Sequence, residues 1–398
     1  MNRREDGQIF YLDEEDRYAR MRLISWWDQD RLRNSRVLVV GAGALGNEVL
    51  KNLALLGLGH IFVIDFDKIE TTNLTRSVLF RAEDRGHGKA HVAAAGVLRI
   101  NPEVKVTALN GNVLTDLGLG IFRDIDLAIG CLDNREARLW VNRQCWKADK
   151  PWVDGGIQEI SGVVKVIVPG KGACYECAMT EMDYRLINLR YSCPLLSRDD
   201  MAMGRVPTAP TIASMIAGMQ VQEALKLLHG RAIRGGCATV FDGHSNQMYT
   251  TELPFKEDCL SHETLPEIRS VSLSAKQTLA EMFAEVHKQT GSAAPLTAML
   301  PHDLVHEVEC DRCKIAKPII RPQPLVVQSE ALCDTCEQLG RAKMIHEIAE
   351  GNPLASHPMS RLGIAPYDVV RMHDEENETA WLLEADREIA WRPFQPAQ

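Results

Sequence analysis

Four groups of residues in this sequence have the types and spacing to do chemistry. The first is Gly41-Ala42-Gly43-Ala44-Leu45-Gly46, a G-x-G-x-x-G pattern between a short apolar run and a helical one. Glycines there permit a tight turn and close backbone approach, and the helix N-terminus offers free N–H groups and partial positive charge to phosphate. Asp65 ends the next apolar run about 20 residues on, where a carboxylate reaches ribose hydroxyls. On this pattern alone a nucleotide site is expected, with NAD as the default ligand.

The second group follows that turn in order. Asn73-Leu74-Thr75-Arg76 and Gly86-His87-Gly88-Lys89 put an arginine and a lysine at turns, where they can neutralise a triphosphate. Asp133-Asn134 follows an apolar run, and a carboxylate at a strand's C-terminal end sits at the ligand edge of an open α/β sheet, placed for Mg²⁺. Hydride transfer needs no such cations, so the set tilts the ligand from NAD towards ATP. The third group is three C-x-x-C pairs among 11 cysteines: Cys174/Cys177, Cys310/Cys313 and Cys333/Cys336. The last two pairs, about 20 residues apart, have zinc-ribbon spacing and form a closed structural set; a redox pair would need a thioredoxin-like βαβ setting, absent from this pattern. The fourth is Cys193, flanked by Arg185, Arg190, Arg198 and Arg205, whose charges favour the thiolate and hence a nucleophile. Cys131, Cys145 and Cys237 read as core residues.

Elements must position these groups. Val37–Val40, Ile61–Asp65, Lys105–Leu109, Asp126–Gly130 and Val163–Val168 read as strands. Asn47–Leu56, Lys89–Ile100 and Glu136–Lys147 read as helices, the first broken by Gly57 and Gly59. The alternation predicts a Rossmann-like α/β domain with a mixed, mostly parallel sheet. A short helix is expected around Glu14–Leu23, and an irregular stretch from about Thr180 to Pro210. Pro210–Leu228 reads as a buried helix, because Ser214, Gln220, Gln222, Glu223 and Lys226 would be penalised in a bilayer. Ala238–Asp242 is a further strand. After Glu263 a strand at Ser270–Ser274, a helix at Gln277–Gln289, the Cys310–Cys336 segment and a hairpin turning at Asp374–Asn377 make a small zinc-containing α+β domain. The division expected is 1–265 and 266–398.

The 398 residues are 45% hydrophobic and 25% charged with formal charge −9, which excludes disordered and low-complexity classes. An acidic chain without a Lys/Arg-rich block suits neither nucleic acid nor an anionic membrane. The polar N-terminus has no secretory h-region, and unpaired cysteines suit a reducing compartment, so a cytoplasmic location is expected.

From about residue 14 to 265 the chain resembles the ThiF/MoeB/ubiquitin-activating superfamily, which adenylates the C-terminal glycine of small β-grasp proteins. The resemblance rests on RYAR (Arg17–Arg20), VVGAGALG (Val39–Gly46), DFD (Asp65–Asp67), NLTR (Asn73–Arg76), GHGK (Gly86–Lys89), CLDN (Cys131–Asn134) with Arg138 after it, DGG (Asp154–Gly156), CYEC (Cys174–Cys177) and EALKLL (Glu223–Leu228). It implies that Gly41, Gly43 and Gly46 form the nucleotide loop and that Asp65 holds the ribose, with Asp67 close by. Asn73, Arg76 and Lys89 would contact phosphates and Asp133 would bind Mg²⁺. Arg20 would reach across a homodimer into the partner's ATP site. The family often has Gln after the Arg76 position; here it is Ser77. The family also places a second C-x-x-C after the last core strand, where this chain has Cys259-Leu260-Ser261-His262, implying a Cys₃His zinc site with Cys174 and Cys177. Two structural Zn²⁺ per chain follow.

Thioester-forming members carry their cysteine in the crossover segment that Cys193 occupies. The resemblance therefore implies an activating enzyme for a ubiquitin-like protein, which uses ATP, forms a thioester on Cys193 and hands the modifier to an E2-like conjugating enzyme. The C-terminal domain is expected to be ubiquitin-fold-like and to dock that carrier, or else to be a plain structural zinc module. The alternative is a sulfur-carrier-protein adenylyltransferase without an obligatory enzyme thioester. A silent or NAD-binding subunit is the third reading, against which Asp65, Arg76, Lys89 and Asp133 argue.

Overall fold

The computed structural model describes residues 2–3, 9–10, 15–192, 207–374 and 376–395, with backbone alone for 2–3, 9–10 and 188–192. A two-residue ladder pairs β1 (Asn2–Arg3) with β2 (Ile9–Phe10). An eight-stranded sheet then carries the site. Its strands are β3 (Arg36–Val40), β4 (His60–Ile64), β5 (Lys105–Leu109), β6 (Leu127–Gly130), β7 (Trp152–Gln158), β8 (Ser161–Ile167), β9 (Cys237–Asp242) and β10 (Gln247–Glu252). Their spatial order is β10-β9-β8-β7-β6-β3-β4-β5. The run from β7 to β5 is parallel, and β8, β9 and β10 extend it antiparallel. The chain winds outward from β3 through β4 to β5, then returns to β6 on the other side of β3. That reversal opens a crevice at the C-terminal ends of β3 and β6.

Between the strands lie α1 (Gln29–Asn34), α2 (Ala44–Leu56), α3 (Lys89–Ile100), α4 (Leu119–Asp124), α5 (Arg135–Lys147), α6 (Glu181–Ser192) and α7 (Pro210–Leu228). Side chains alternate across the sheet. Val37 and Val39 face the layer built with Val49, Ala93 and Ile216 of α2, α3 and α7. Leu38 and Val40 face the layer with Phe122 and Val141 of α4 and α5. Burial on both faces is why β3 and β4 read as unbroken apolar runs.

Two expectations are corrected. Where a helix was expected around Glu14–Leu23, the described part holds only a 3-10 turn, Met21–Leu23. Asp16 accepts from Tyr18 N (2.9 Å) and pairs with Arg22 (2.8 Å), and this local bonding replaces a helical ladder. The stretch expected to be irregular from Thr180 contains α6, started by a reciprocal cap in which Thr180 N donates to Asp183 Oδ2 (2.9 Å) and Asp183 N to Thr180 Oγ1 (3.4 Å). β7, β10 and α4 were not anticipated. β10 is exposed along its whole length, so no apolar alternation marks it.

The second sheet holds β11 (Ile268–Val271), β12 (Thr297–Glu309), β13 (Ala316–Pro322), β14 (Arg341–Ala349), β15 (Val369–His373) and β16 (Glu378–Leu383). Its order is β11-β16-β15-β12-β13, with β14 also on β12. β11 lies parallel to β16, the first strand beside the last. The strand expected at Ser270–Ser274 thus starts earlier, at Ile268. Helix α8 (Leu279–Thr290) buries Met282, Phe283 and Val286 against Trp381 and its neighbours. The register of β12 breaks between Met299 and Leu304, so its first half pairs with β15 and its second with β13. His302 in that break stacks on Trp140 of α5 (centroids 4.3 Å apart) and contacts Leu114 O (2.6 Å). After β16, α9 (Arg387–Ala390) leads the chain back to the first sheet. Asp124 receives bonds from Tyr367 Oη (3.1 Å), Arg387 Nη2 (3.1 Å) and Trp391 Nε1 (3.0 Å), and Phe394 N donates to Val106 O on β5 (2.6 Å).

Candidate active site and metal centres

The glycine turn sits at the switch point. Gly41 has φ +98°, and a Cβ there would overlap the Cys131 carbonyl at the end of β6; a Cβ on Gly46 would overlap Gly41 O. Sterics therefore require glycine at both positions. Gly43, the N-cap of α2, faces open space, so its backbone is free for a ligand to approach. Asp65, just past β4, accepts from Ala42 N (2.7 Å) and Asp67 N (2.8 Å) and so welds the turn to the second strand. Burial pushes its carboxyl above the usual carboxylate range, with Lys89 and the two N–H donors pulling the other way.

Asp67 and Lys89 meet directly: Lys89 Nζ lies 2.8 Å from Asp67 Oδ2, and Lys89 N donates to Asp67 O (2.9 Å). The lysine opens α3 with its side chain only 11% exposed, already aimed by its counter-ion. Asn73 Oδ1 accepts from Glu70 N (2.9 Å), and Arg76 Nη1 donates to Thr72 O (2.9 Å), so both belong to a folded turn. Asn47 ties that segment to the glycine turn. Its Nδ2 donates to Ala42 O (2.7 Å) and Gly43 O (3.0 Å), and its Oδ1 accepts from Leu79 N (2.9 Å). The sequence reading missed Asn47; the signal would have been an amide, in a helix's first turn, on an otherwise apolar buried face. Ser77 Oγ is buried without a hydrogen-bond partner among the described residues. Asp133, exposed, follows β6 and precedes Asn134, whose side chain caps α5 through Ala137 N (2.8 Å). A lone exposed carboxylate beside a phosphate-shaped turn fits Mg²⁺ held jointly with substrate phosphates.

Arg20 is not brought to this turn. Two residues earlier the buried Tyr18 ring packs on Gly57, at the C-terminal end of α2, and its Oη accepts from Asn101 Nδ2 (2.7 Å). The 13 residues of α2 separate that end from the glycine turn, a helix length of about 20 Å. Cys193 lies outside the described residues. Cys131, Cys145 and Cys237 have their thiols pushed up by burial, in keeping with unreactive core cysteines.

Both cysteine groups close into cages. Cys174, Cys177, Cys259 and His262 hold their ligand atoms within 4.8 Å of one another, as do Cys310, Cys313, Cys333 and Cys336. In the first, Cys174 Sγ is 3.7 Å from Cys177 Sγ and 3.6 Å from Cys259 Sγ, and Cys177 Sγ is 3.4 Å from His262 Nε2. In the second, Cys310 Sγ is 3.6 Å from Cys336 Sγ. A tetrahedron with Zn–S of about 2.3 Å has edges of about 3.8 Å, so both cages fit Zn²⁺ with no open position.

Residues 15–261 match the ThiF family. SUMO-activating enzyme subunit 2 of Dictyostelium discoideum is 42% identical over 149 residues, 37% of this chain and 22% of that one. Ubiquitin-like modifier-activating enzyme 5 of Bombyx mori is 31% identical over 227 residues, 52% of this chain and 54% of that one. The chain thus spans about half or less of these curated relatives. Among solved structures, E. coli MccB with ATP is 26% identical with a TM-score of 0.51, covering 63% of this chain and 75% of that one. The microcin C7 biosynthetic enzyme MccB in complex with N-formylated MccA is 25% identical with a TM-score of 0.52, covering 63% and 76%. Among the described residues no helix is long and apolar enough to cross a membrane.

Proposed function

The chain belongs to the ThiF family, and from that membership we propose that it adenylates the C-terminal glycine of a ubiquitin-like β-grasp protein with ATP. The observation that carries this reading is the joining of Asp65 to the glycine turn and of Lys89 to Asp67 at one sheet edge, with Asp133 on the neighbouring strand end. Relatives named for activating SUMO and ubiquitin-like modifiers support the substrate class.

A carboxylate oxygen of the glycine attacks the α-phosphorus, the bond to the bridging oxygen breaks, and pyrophosphate leaves with the electron pair. The nucleophile is ionised at neutral pH, so no general base is needed. The N–H groups opening α2 face the phosphates, Lys89 and Arg76 neutralise charge, and Asp65 accepts from the ribose. Asn73 keeps the Arg76 turn folded. Asp133 would hold Mg²⁺, which when bound offsets the triphosphate charge. Arg20, exposed two residues after the Tyr18 that packs at the far end of α2, serves the site of a second copy in a homodimer. The thiolate of Cys193 then attacks the acyl carbon, AMP leaves with the C–O electron pair, and the resulting thioester passes to an E2-like conjugating enzyme.

The test incubates the full chain with ATP, Mg²⁺ and β-grasp proteins ending in Gly, read by intact mass and non-reducing gels beside Cys193→Ala. An ATP-dependent, thiol-sensitive adduct lost only in the variant supports the full reading. Acyl-adenylate without that adduct supports the sulfur-carrier alternative.

A further inference from the structure

The ends of β6 and β7 carry a side-chain rung that none of the roles above uses. The backbone ladder between these parallel strands stops at Gly130 opposite Asp154. Beyond it, Leu132 turns towards α5 while Gly155 continues β7. The carbonyls of both face one nitrogen: Arg138 Nη2 donates to Leu132 O at 2.5 Å and to Gly155 O at 2.9 Å. Arg138 Nε donates to Asp154 Oδ1 at 3.1 Å. The arginine side chain is 17% exposed and the aspartate 2%. A buried ion pair persists only where its remaining hydrogen bonds are met, and here the two carbonyls meet them. From the opposite layer Gln220 of α7 donates to Gly130 O (2.8 Å) and Val153 O (3.2 Å), so the same strand ends are stapled on both faces.

The backbone held by this rung is that of Asp133. Leu132 on one side is fixed by Arg138, and Asn134 on the other by its capping bond to Ala137 N (2.8 Å). Resting on the adenylation reading, we propose that Arg138 is a positioning residue: it fixes the main chain from which Asp133 presents its carboxylate to Mg²⁺ and ATP. Three acceptors around one guanidinium suit a planar fork and not the compact ammonium of lysine.

The test is calorimetric titration of ATP into the full-length protein, with and without Mg²⁺, for wild type, Asp133→Asn, Arg138→Lys, and Arg138→Gln combined with Asp154→Asn. The double variant removes both buried charges, so Asp154 is not stranded. In wild type Mg²⁺ tightens ATP binding. In Arg138→Lys and the double variant about tenfold of that gain is lost, as in Asp133→Asn. The Mg²⁺-free affinity of the two Arg138 variants stays within about twofold, and a protein carrying both Asp133→Asn and Arg138→Lys loses no more of the Mg²⁺ gain than Asp133→Asn alone. Retention of the wild-type Mg²⁺ gain by both Arg138 variants overturns the positioning role and leaves the adenylation reading intact. Equal losses with and without Mg²⁺ overturn it in favour of a general structural role. A wild type that binds no ATP in either condition overturns the reading on which it rests.

Discussion

The two cages each bring four ligand atoms within 4.8 Å of one another but differ in what they hold together. The first joins segments far apart in the chain and is wired into α5. Asn142 Oδ1 accepts from Tyr175 N (3.0 Å) and Trp152 Nε1 (3.3 Å), and its Nδ2 donates to Ser261 Oγ (2.8 Å). Arg143 Nη2 pairs with the buried Glu176 between the two cysteines (2.6 Å), and Trp146 stacks on His262 with centroids 4.0 Å apart. The second cage is local. Its two knuckles repeat one bonding scheme: Lys314 N donates to Cys310 O (2.8 Å) and Glu337 N to Cys333 O (2.9 Å). Lys314 and Glu337 both sit at φ +55°, the left-handed turn such a knuckle imposes. Its apolar support is four buried residues, Val305, Val308, Val326 and Ala331. Two closed cages, one Cys₃His and one Cys₄, therefore differ in reach. The helix that the first cage steadies begins two residues after Asp133, whereas the second closes the tip of a ribbon.

Removing a ligand from each cage should expose that asymmetry. Cys177→Ala should have the largest effect, a loss of more than about 4 kcal/mol with release of one zinc and weakened ATP binding, read by metal analysis, melting and calorimetry. A variant that keeps both its zinc and its melting temperature would refute the cage as drawn. Asn142→Ala leaves a buried N–H and an indole donor unmatched and should cost about 3 kcal/mol with zinc retained; a loss below about 1 kcal/mol would show that the wiring to α5 is slack. Cys333→Ser should release the other zinc and strip hydrogen-exchange protection from β13 and β14, while ATP affinity changes by less than about twofold. A matching loss of protection in β6 would erase the distinction between the cages.

The smallest effect concerns the ribbon's anchorage outside its cysteines. His287 on α8 meets Glu350, just past β14, at 2.9 Å. Hydrogen bonds to Glu350 and Ser292 raise the histidine above its ordinary 6.5, and the bond to His287 lowers Glu350 below 4.5. The histidine's contribution is therefore full below 6.5 and lost as pH rises through its raised pKa; the carboxylate's is lost as pH falls through its lowered one. Between these limits His287→Gln should lower the melting temperature by at most about 2 °C, fading at alkaline pH. An unchanged difference at alkaline pH would mean that charge plays no part.

Period and turn chemistry alone determined much of this molecule. Helix α3 and strand β5 coincide with their sequence spans, and the glycine turn, Asp65 and the C-x-x-C knuckles carry signals fixed within a few residues. Gly57 likewise ends α2 in the left-handed region at φ 68°, as a helix stop should. What depends on distant partners was not written locally. β10 lies exposed at the sheet edge and pairs with β9, α4 is short, and α6 hides its cap in a polar stretch. Asn47, Arg138 and Gln220 look like ordinary polar helix residues until folding brings backbone groups to them, the Leu79 N–H to Asn47 and strand-end carbonyls to Arg138 and Gln220. Only the tertiary structure decided that Tyr18, two residues before Arg20, packs at the far end of α2 and that one cage is bonded to α5 while the other closes a ribbon. The reason is physical. Local rules choose a helix, a strand or a knuckle, but a buried polar group takes its role from whatever unmatched donor or acceptor the rest of the chain delivers to it.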